Sequence, residues 1–289
     1  MQNFTEVGLE LIKRCSTDLS PDVEKRLREW RDKEEASSTA RNVLDVILKN
    51  IEIARQEGTP ICQDTGLLTF YLTLPRGMHA ESIKKDLVGA VRKATELGLL
   101  RPNAVDPVTG KNSGDNTGGG LPYFSIEYHD SEEIVIGLIQ KGGGCENCGA
   151  QYRLPDQRLK AGRDLDGVEK CVLDAVFQAQ GFGCAPGVVG VCIGGDRAHS
   201  YLHAKKQLLR NLDDKNDDPV LAELEERLYE KLNRLKIGPM GFGGNTTVLG
   251  VKVGKLHRHP ASFFVSISYC CWADRKRKAV IRGSNVEIY

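Results

Sequence analysis

Apolar residues recur at helical spacing from Phe4 to Leu19 and again from Thr39 to Gln56. In the second stretch Val43, Leu44, Ile47, Leu48 and Ile51 fall on one face. That period predicts amphipathic helices. Between them Ser20 and then Pro21 read as a cap and a first-turn proline, opening a charged helix that reaches about Glu35. Alternation then replaces the helical period: Leu67 to Leu74 reads as a strand. A helix over roughly Ala80 to Leu99 follows. Tyr123 to His129 and Ile134 to Gln140 read as two strands joined by an acidic turn, a hairpin. Further on the pattern predicts helices over Asp166–Gln180, from Gly195 to about Arg210, and over Leu221–Leu235. It predicts strands over Val188–Ile193, Thr246–Val253 and Phe263–Tyr269.

The order of elements predicts a mixed α+β fold. We expect a single large domain over 1–289, with helices packed around small mixed β-sheets, Gly-rich loops forming the site, and a helical N-terminal extension over 1–38. No repeat or low-complexity linker divides the chain. Three stretches break the periodic pattern. Arg101 to Gly120 is Pro, Asn, Asp and Gly throughout, and loops of that length in compact domains are usually functional or disordered. Lys141 to Cys148 carries three consecutive glycines, and Gly238 to Gly244 is a third glycine loop. Backbone N–H groups in such loops can approach an anion closely, and tight turn packing explains the same residues equally well. Gly187 to Gly195 lacks the G-x-G-x-x-G order of a dinucleotide fold.

Composition narrows the function classes. A hydrophobic fraction of 40% suits a chain that buries a full core, and a net charge of +1 gives no global field for nucleic acid. Aromatic residues at 6% are too few for a base-stacking platform. No apolar run approaches membrane-spanning length. Acidic Glu6 and Glu10 stand where a signal peptide would be basic. A cytoplasmic protein without membrane or nucleic-acid partners is expected. Nine cysteines, in a chain too large to need disulfide staples, are then buried, catalytic or metal-bound.

The stretch Pro60-Ile61-Cys62-Gln63-Asp64-Thr65-Gly66 places a thiol, an amide, a carboxylate and a hydroxyl in four consecutive positions between a helix and a strand. Cys184 and Cys271 likewise lie where a loop meets a regular element. Three such thiolates suit an iron–sulfur cluster that leaves one iron open, and a buried Cys in an ordinary turn is the plainer alternative. Cys145 and Cys148 form a C-x-x-C that suits zinc, with His257 and His259 as further ligands, or a dithiol pair. Cys15, Cys171 and Cys192 fall within helix or strand patterns and read as small core residues. Cys270 reads as a neighbour of a ligand. The run Asp274 to Lys278 reads as a solvated face or a subunit contact.

Taken together, these stretches resemble the iron–sulfur hydro-lyases of the class I fumarase and L(+)-tartrate dehydratase family, in particular the alpha subunit of the two-subunit forms. The resemblance runs from about Ala40 to Arg277. It rests on Ile61–Gly66, Arg101–Pro107, Asn116–Gly118, Lys141–Gly144, Cys184–Pro186, Gly190–Gly195, Ile237–Gly244, His259–Ser262 and Cys271–Arg275, in that order. It implies a [4Fe–4S] cluster on Cys62, Cys184 and Cys271, and a substrate site lined by Gln63, Asp64, Arg101, Gly144 and His259, with Asp64 and His259 as catalytic residues. It implies reversible dehydration of (S)-malate to fumarate, with L(+)-tartrate dehydration to oxaloacetate as the alternative within the family. A non-catalytic zinc or iron–sulfur module is the rival from another class. Cys145 stands where fumarases often carry Ser and tartrate dehydratases can carry Cys. Single-chain relatives supply further basic residues and a proton-transfer residue from a C-terminal region, whereas this sequence reaches Tyr289 soon after Cys271. A separately encoded beta subunit, in an assembly of two alpha–beta pairs, is therefore expected.

Overall fold

Strand Leu67–Pro75 sends Leu68, Phe70, Leu72 and Leu74 to one face, and all four are buried in one apolar cluster. The computed structural model describes residues 3–289. In chain order the helices are α1 (Phe4–Thr17), α2 (Pro21–Lys33), α3 (Thr39–Glu57), α4 (Ala80–Glu96), the single turn α5 (Gly143–Asn147), α6 (Leu165–Ala179), α7 (Arg197–Gln207) and α8 (Pro219–Asn233). The strands are β1 (Leu67–Pro75), β2 (Tyr123–His129), β3 (Ile134–Lys141), β4 (Ala150–Arg153), β5 (Gly187–Gly194), β6 (Val248–Leu256), β7 (Phe264–Cys270), β8 (Arg275–Arg282) and β9 (Asn285–Ile288). This is the mixed α+β class that the pattern predicts. No described helix is long and apolar enough to cross a membrane.

The chain divides into two compact units. The first comprises the segment up to Ser20, Lys49–Gly143 and Arg275–Tyr289; the second comprises Pro21–Leu48 and Gly144–Asp274. The extension expected over 1–38 is shared, since α1 belongs to the first unit and α2 to the second.

The first unit is a five-stranded sheet in the order β2-β1-β3-β8-β9. Val7, Leu11 and Ile12 of α1 and Ile83, Leu87 and Val91 of α4 cover the face that carries the β1 leucines. Here two expectations fail. β2 and β3 do not form a hairpin, because β1 lies between them, parallel to β2 and antiparallel to β3. β2 is the least buried of the three strands and takes the sheet edge, with β1 between it and β3. The run Asp274 to Lys278 is not a solvated face: Asp274, Arg275, Lys276 and Arg277 are buried. Its basic residues open β8, which β3 and β9 hydrogen-bond on either side. Ala279 and Ile281 fix that strand in the core, and Arg277 Nη2 reaches Asp18 Oδ2 at 3.5 Å.

The second unit is a four-stranded sheet in the order β4-β7-β5-β6. α6 and α8 pack on it through Val168, Val172, Leu224 and Leu228. α8 starts where Asp218 accepts the N–H groups of Val220 and Leu221, with Pro219 in the first turn. α7 also packs against β5: a Cβ on Gly190 would stand 2.2 Å from the Ala204 carbonyl oxygen. That glycine serves helix packing and not an anion.

Glu34, just beyond α2, is buried and receives Asn245 N at 2.8 Å, Thr246 N at 2.9 Å and Thr246 Oγ1 at 2.6 Å. Hydrogen bonds to an ionised group contribute about 1.5–3 kcal/mol each, and a buried donor left unmet carries a further cost. Glu34→Ala should therefore lower stability by about 3 kcal/mol, read as a fall in the urea midpoint. A midpoint unchanged from the parent chain would show that the loop before β6 does not depend on this carboxylate.

Candidate active site

The Cys62 turn is fixed from both sides within the first unit. Ile61 is buried; its N–H donates to Ser16 O at 2.9 Å, and its carbonyl accepts Asn50 Nδ2 at 2.9 Å. Asp64 then divides its carboxylate: Oδ1 accepts Gly66 N at 2.9 Å and Oδ2 accepts Gly143 N at 2.7 Å. The approach needs glycine. A Cβ on Gly142 would stand 2.7 Å from Asp64 Oδ2, and one on Gly66, where φ is +78°, would stand 2.7 Å from the Lys141 backbone. Buried Thr65 accepts Arg101 N at 3.0 Å and Asn103 Nδ2 at 3.2 Å through its hydroxyl oxygen. Asn116 accepts Asn103 N at 2.7 Å and donates to Arg101 O at 2.9 Å. Three stretches distant in sequence thus meet at one turn, which leaves Gln63 and the Arg101 side chain exposed.

In the second unit the thiols gather at one end of the sheet. β5 and β7 are antiparallel with Val188 opposite Cys270, so the Cys184 turn before β5 and Cys271 after β7 lie at the same end. Trp272 N donates to Cys184 O at 3.2 Å, and Met240 N donates to Ala185 O at 2.7 Å, which ties in the third glycine loop. Cys184 itself has φ +54°. Cys271 N donates to Cys145 Sγ at 3.2 Å. Cys145, Cys270 and Cys271 bring their sulfurs within 4.8 Å of one another. Tyr269 is buried beneath this group; burial first, and then the neighbouring Cys271, Cys145, Cys148 and Cys270, hold its hydroxyl well above the ordinary tyrosine range. The Cys270 thiol is also pushed well up, by its hydrogen bonds with Cys145 and Cys271 and then by burial.

His259 lies at the other end of the same sheet. It belongs to the exposed loop between β6 and β7, where a Cβ on Gly194 would stand 3.6 Å from Arg258 Cβ. Its Nδ1 accepts Ala261 N at 3.1 Å. The seven residues of β7 separate this loop from Cys271, about 20 Å of strand at roughly 3.3 Å per residue. Gly144 is exposed at the start of the thiol-bearing turn. The zinc quartet suggested by the C-x-x-C is not assembled: among the described residues the three metal-type donors that come together are Cys145, Cys270 and Cys271, without Cys148, His257 or His259.

The pattern of the Fumarate hydratase (Fumerase) family matches residues 5–280. The chain belongs to this family. It is 49% identical over its whole length to "Putative fumarate hydratase class I" of Geobacillus stearothermophilus, and it spans 57% of that relative. It is 37% identical to "Putative L(+)-tartrate dehydratase subunit alpha" of Methanocaldococcus jannaschii, covering 94% of this chain and 95% of the relative. With "L(+)-tartrate dehydratase subunit alpha" of Escherichia coli K12 it shares 32%, covering 98% of this chain and 92% of the relative. The chain therefore spans little more than half of one kind of fumarase-family protein and nearly all of another.

The cysteines of this family member sort by exposure. Cys62, Cys148, Cys184 and Cys271 are half-buried, and the other five are buried. Burial raises the Cys171 thiol to about 12 and the Cys192 thiol to about 11, which keeps both neutral and inert. Thiols on turns with one side open fit a cluster that must meet a substrate, and the buried core cysteines do not. The contact between Cys145 and Cys271 is one the sequence reading missed, since 126 positions separate them. The buried Arg275 beside the Gly142 loop is another: its Nη2 would stand 3.7 Å from a Cβ on Gly142.

Iodoacetamide applied under argon at pH 8 to the metal-free chain should modify Cys62, Cys184 and Cys271 well before Cys15, Cys171 and Cys192, as read by peptide mass mapping. Equal labelling of Cys171 and Cys184 would contradict the burial argument.

Proposed function

We propose that this chain is the cluster-bearing alpha subunit of an iron–sulfur hydro-lyase that interconverts (S)-malate and fumarate. The observation that carries this reading is the joining of the Cys62-Gln63-Asp64-Thr65 turn to Arg101 through the Thr65 hydroxyl. The backbone at Arg101 is thereby held beside the turn that carries the thiol and the amide. Cys62, Cys184 and Cys271, each half-buried, are the proposed ligands of a [4Fe–4S] cluster. When bound, the cluster would supply an iron without a protein thiolate, a Lewis acid for the departing hydroxyl.

In the dehydration the C–O bond at one carbon breaks and a proton leaves the adjacent carbon. The electron pair of that C–H bond becomes the new double bond, and hydroxide departs as water. The substrate is a dianion whose charge grows towards the transition state. Arg101 and Gln63, exposed beside Cys62, are the proposed donors to its carboxylates, and the Gly144 backbone is a third. Asp64 has both oxygens engaged by backbone N–H groups, which suits it to orient the turn and the group that moves the proton. His259 stands at the far end of β7 from Cys271, so a role in this site requires a second copy of the chain to present it. The proton acceptor itself we assign to a separate beta subunit. Support for that partner comes from the name "subunit alpha" carried by the relatives that this chain matches along nearly their whole length. Two alpha–beta pairs are the proposed assembly.

The higher identity to the fumarase than to the tartrate dehydratases favours malate. L(+)-tartrate dehydration is the second reading, favoured by the extent of the match to the alpha subunits. The chain reconstituted anaerobically with iron and sulfide should turn over malate only when the beta subunit is added, and malate faster than L(+)-tartrate. Arg101→Ala should keep its iron content and lose about 100-fold in kcat/KM. Full activity in the isolated chain would overturn the subunit assignment, and preference for tartrate would overturn the substrate.

A further inference from the structure

Cys145, Cys270 and Cys271 form a group of their own. Their three sulfurs lie within 4.8 Å of one another. Cys145 and Cys270 are buried and Cys271 is half-buried, so the group has a closed side and an open one. Three sulfurs held about 2.3 Å from one zinc-sized ion stand ~4 Å apart. A four-iron cluster places each thiolate on a different iron and spreads the sulfurs wider. The spacing here is therefore that of a site for one ion. It is also held by rigid parts. Cys270 ends β7 opposite Val188, and Cys145 sits in the short turn α5 with its sulfur on the Cys271 N–H at 3.2 Å. Soft thiolate donors of this kind select zinc-like ions over magnesium or calcium.

We propose that Cys145, Cys270 and Cys271 bind a single zinc-like divalent ion in the chain that lacks its cluster, and that ion and cluster exclude each other because both take Cys271. The exclusion rests on the assignment of Cys271 to the cluster made above; the ion site does not. Binding replaces the thiol protons by the metal and releases those protons, with no change of oxidation state. The remaining tetrahedral position on the open side is left to water. Zinc would then occupy Cys271 in cluster-free chains and keep iron from it.

The full chain, prepared free of iron under argon, is titrated with cobalt(II), whose thiolate charge-transfer absorption reports the number of sulfurs bound. One ion per chain is expected, displaced by zinc. Cys145→Ser and Cys270→Ser should each weaken binding about tenfold or more and remove about a third of that absorption. Cys148→Ser and Cys184→Ser should leave both unchanged. Cys145→Ala, with its far-ultraviolet dichroism matched to the parent, serves as the second variant should Ser perturb the buried position. In the parent chain, zinc added before iron and sulfide should block cluster assembly, and in Cys145→Ser or Cys145→Ala it should not. A cobalt spectrum unchanged in the Cys145 and Cys270 variants overturns the ion site and leaves the cluster assignment standing. A zinc-loaded parent chain that still assembles its cluster overturns the sharing of Cys271.

Discussion

The carboxylate of Asp64 is the constraint on which the Cys62 turn depends. It accepts one N–H from its own turn and one from the loop that follows β3. Two glycines allow that approach, because a side chain at Gly142 or Gly66 would collide with the carboxylate or with the Lys141 backbone. The turn that carries Cys62 is thereby held to the end of the central strands, and Thr65 extends the hold to Arg101 and Asn103. Glycine costs conformational entropy in the unfolded chain. Here that cost is offset by a geometry that no other residue permits.

In the second unit the governing feature is the end of a sheet. Antiparallel pairing of β5 and β7 brings the Cys184 turn and Cys271 together, and α5 adds Cys145. Buried Tyr269 packs against the turns that carry them: a side chain at Gly183 or Gly187 would overlap its ring. The same register sends the His259 loop to the opposite end. One sheet therefore separates the thiol-bearing turns from His259, which the resemblance puts in the same site.

Much of this was readable in the chain. The helical period from Thr39 to Gln56 and the alternation from Leu67 to Leu74 are strong signals, because each buries one continuous face, and both elements are found within a residue or two of their expected ends. The failures have separate physical causes. β8 was hidden because its first residues are charged; a period-2 reading needs polar and apolar positions to differ, and Arg275, Lys276 and Arg277 are charged yet all buried, in a strand paired with β3. The supposed hairpin failed because an acidic turn between two strands shows a reversal of direction and not which strand lies alongside. At the site, the Cys62 turn was legible from four adjacent polar residues. The approach of Cys145 and Cys270 to Cys271 was not, because sequence spacing carries no information about contacts made across a sheet end.

The central claim is that Cys62, Cys184 and Cys271, half-buried on turns, hold the cluster and that the buried core cysteines do not. It is tested most directly by iron and acid-labile sulfide content after anaerobic reconstitution of Cys62→Ser, Cys184→Ser, Cys271→Ser and the buried-site variant Cys171→Ser. The account predicts that the first three lose the cluster while Cys171→Ser retains it. A full complement of iron and sulfide in Cys184→Ser would contradict it.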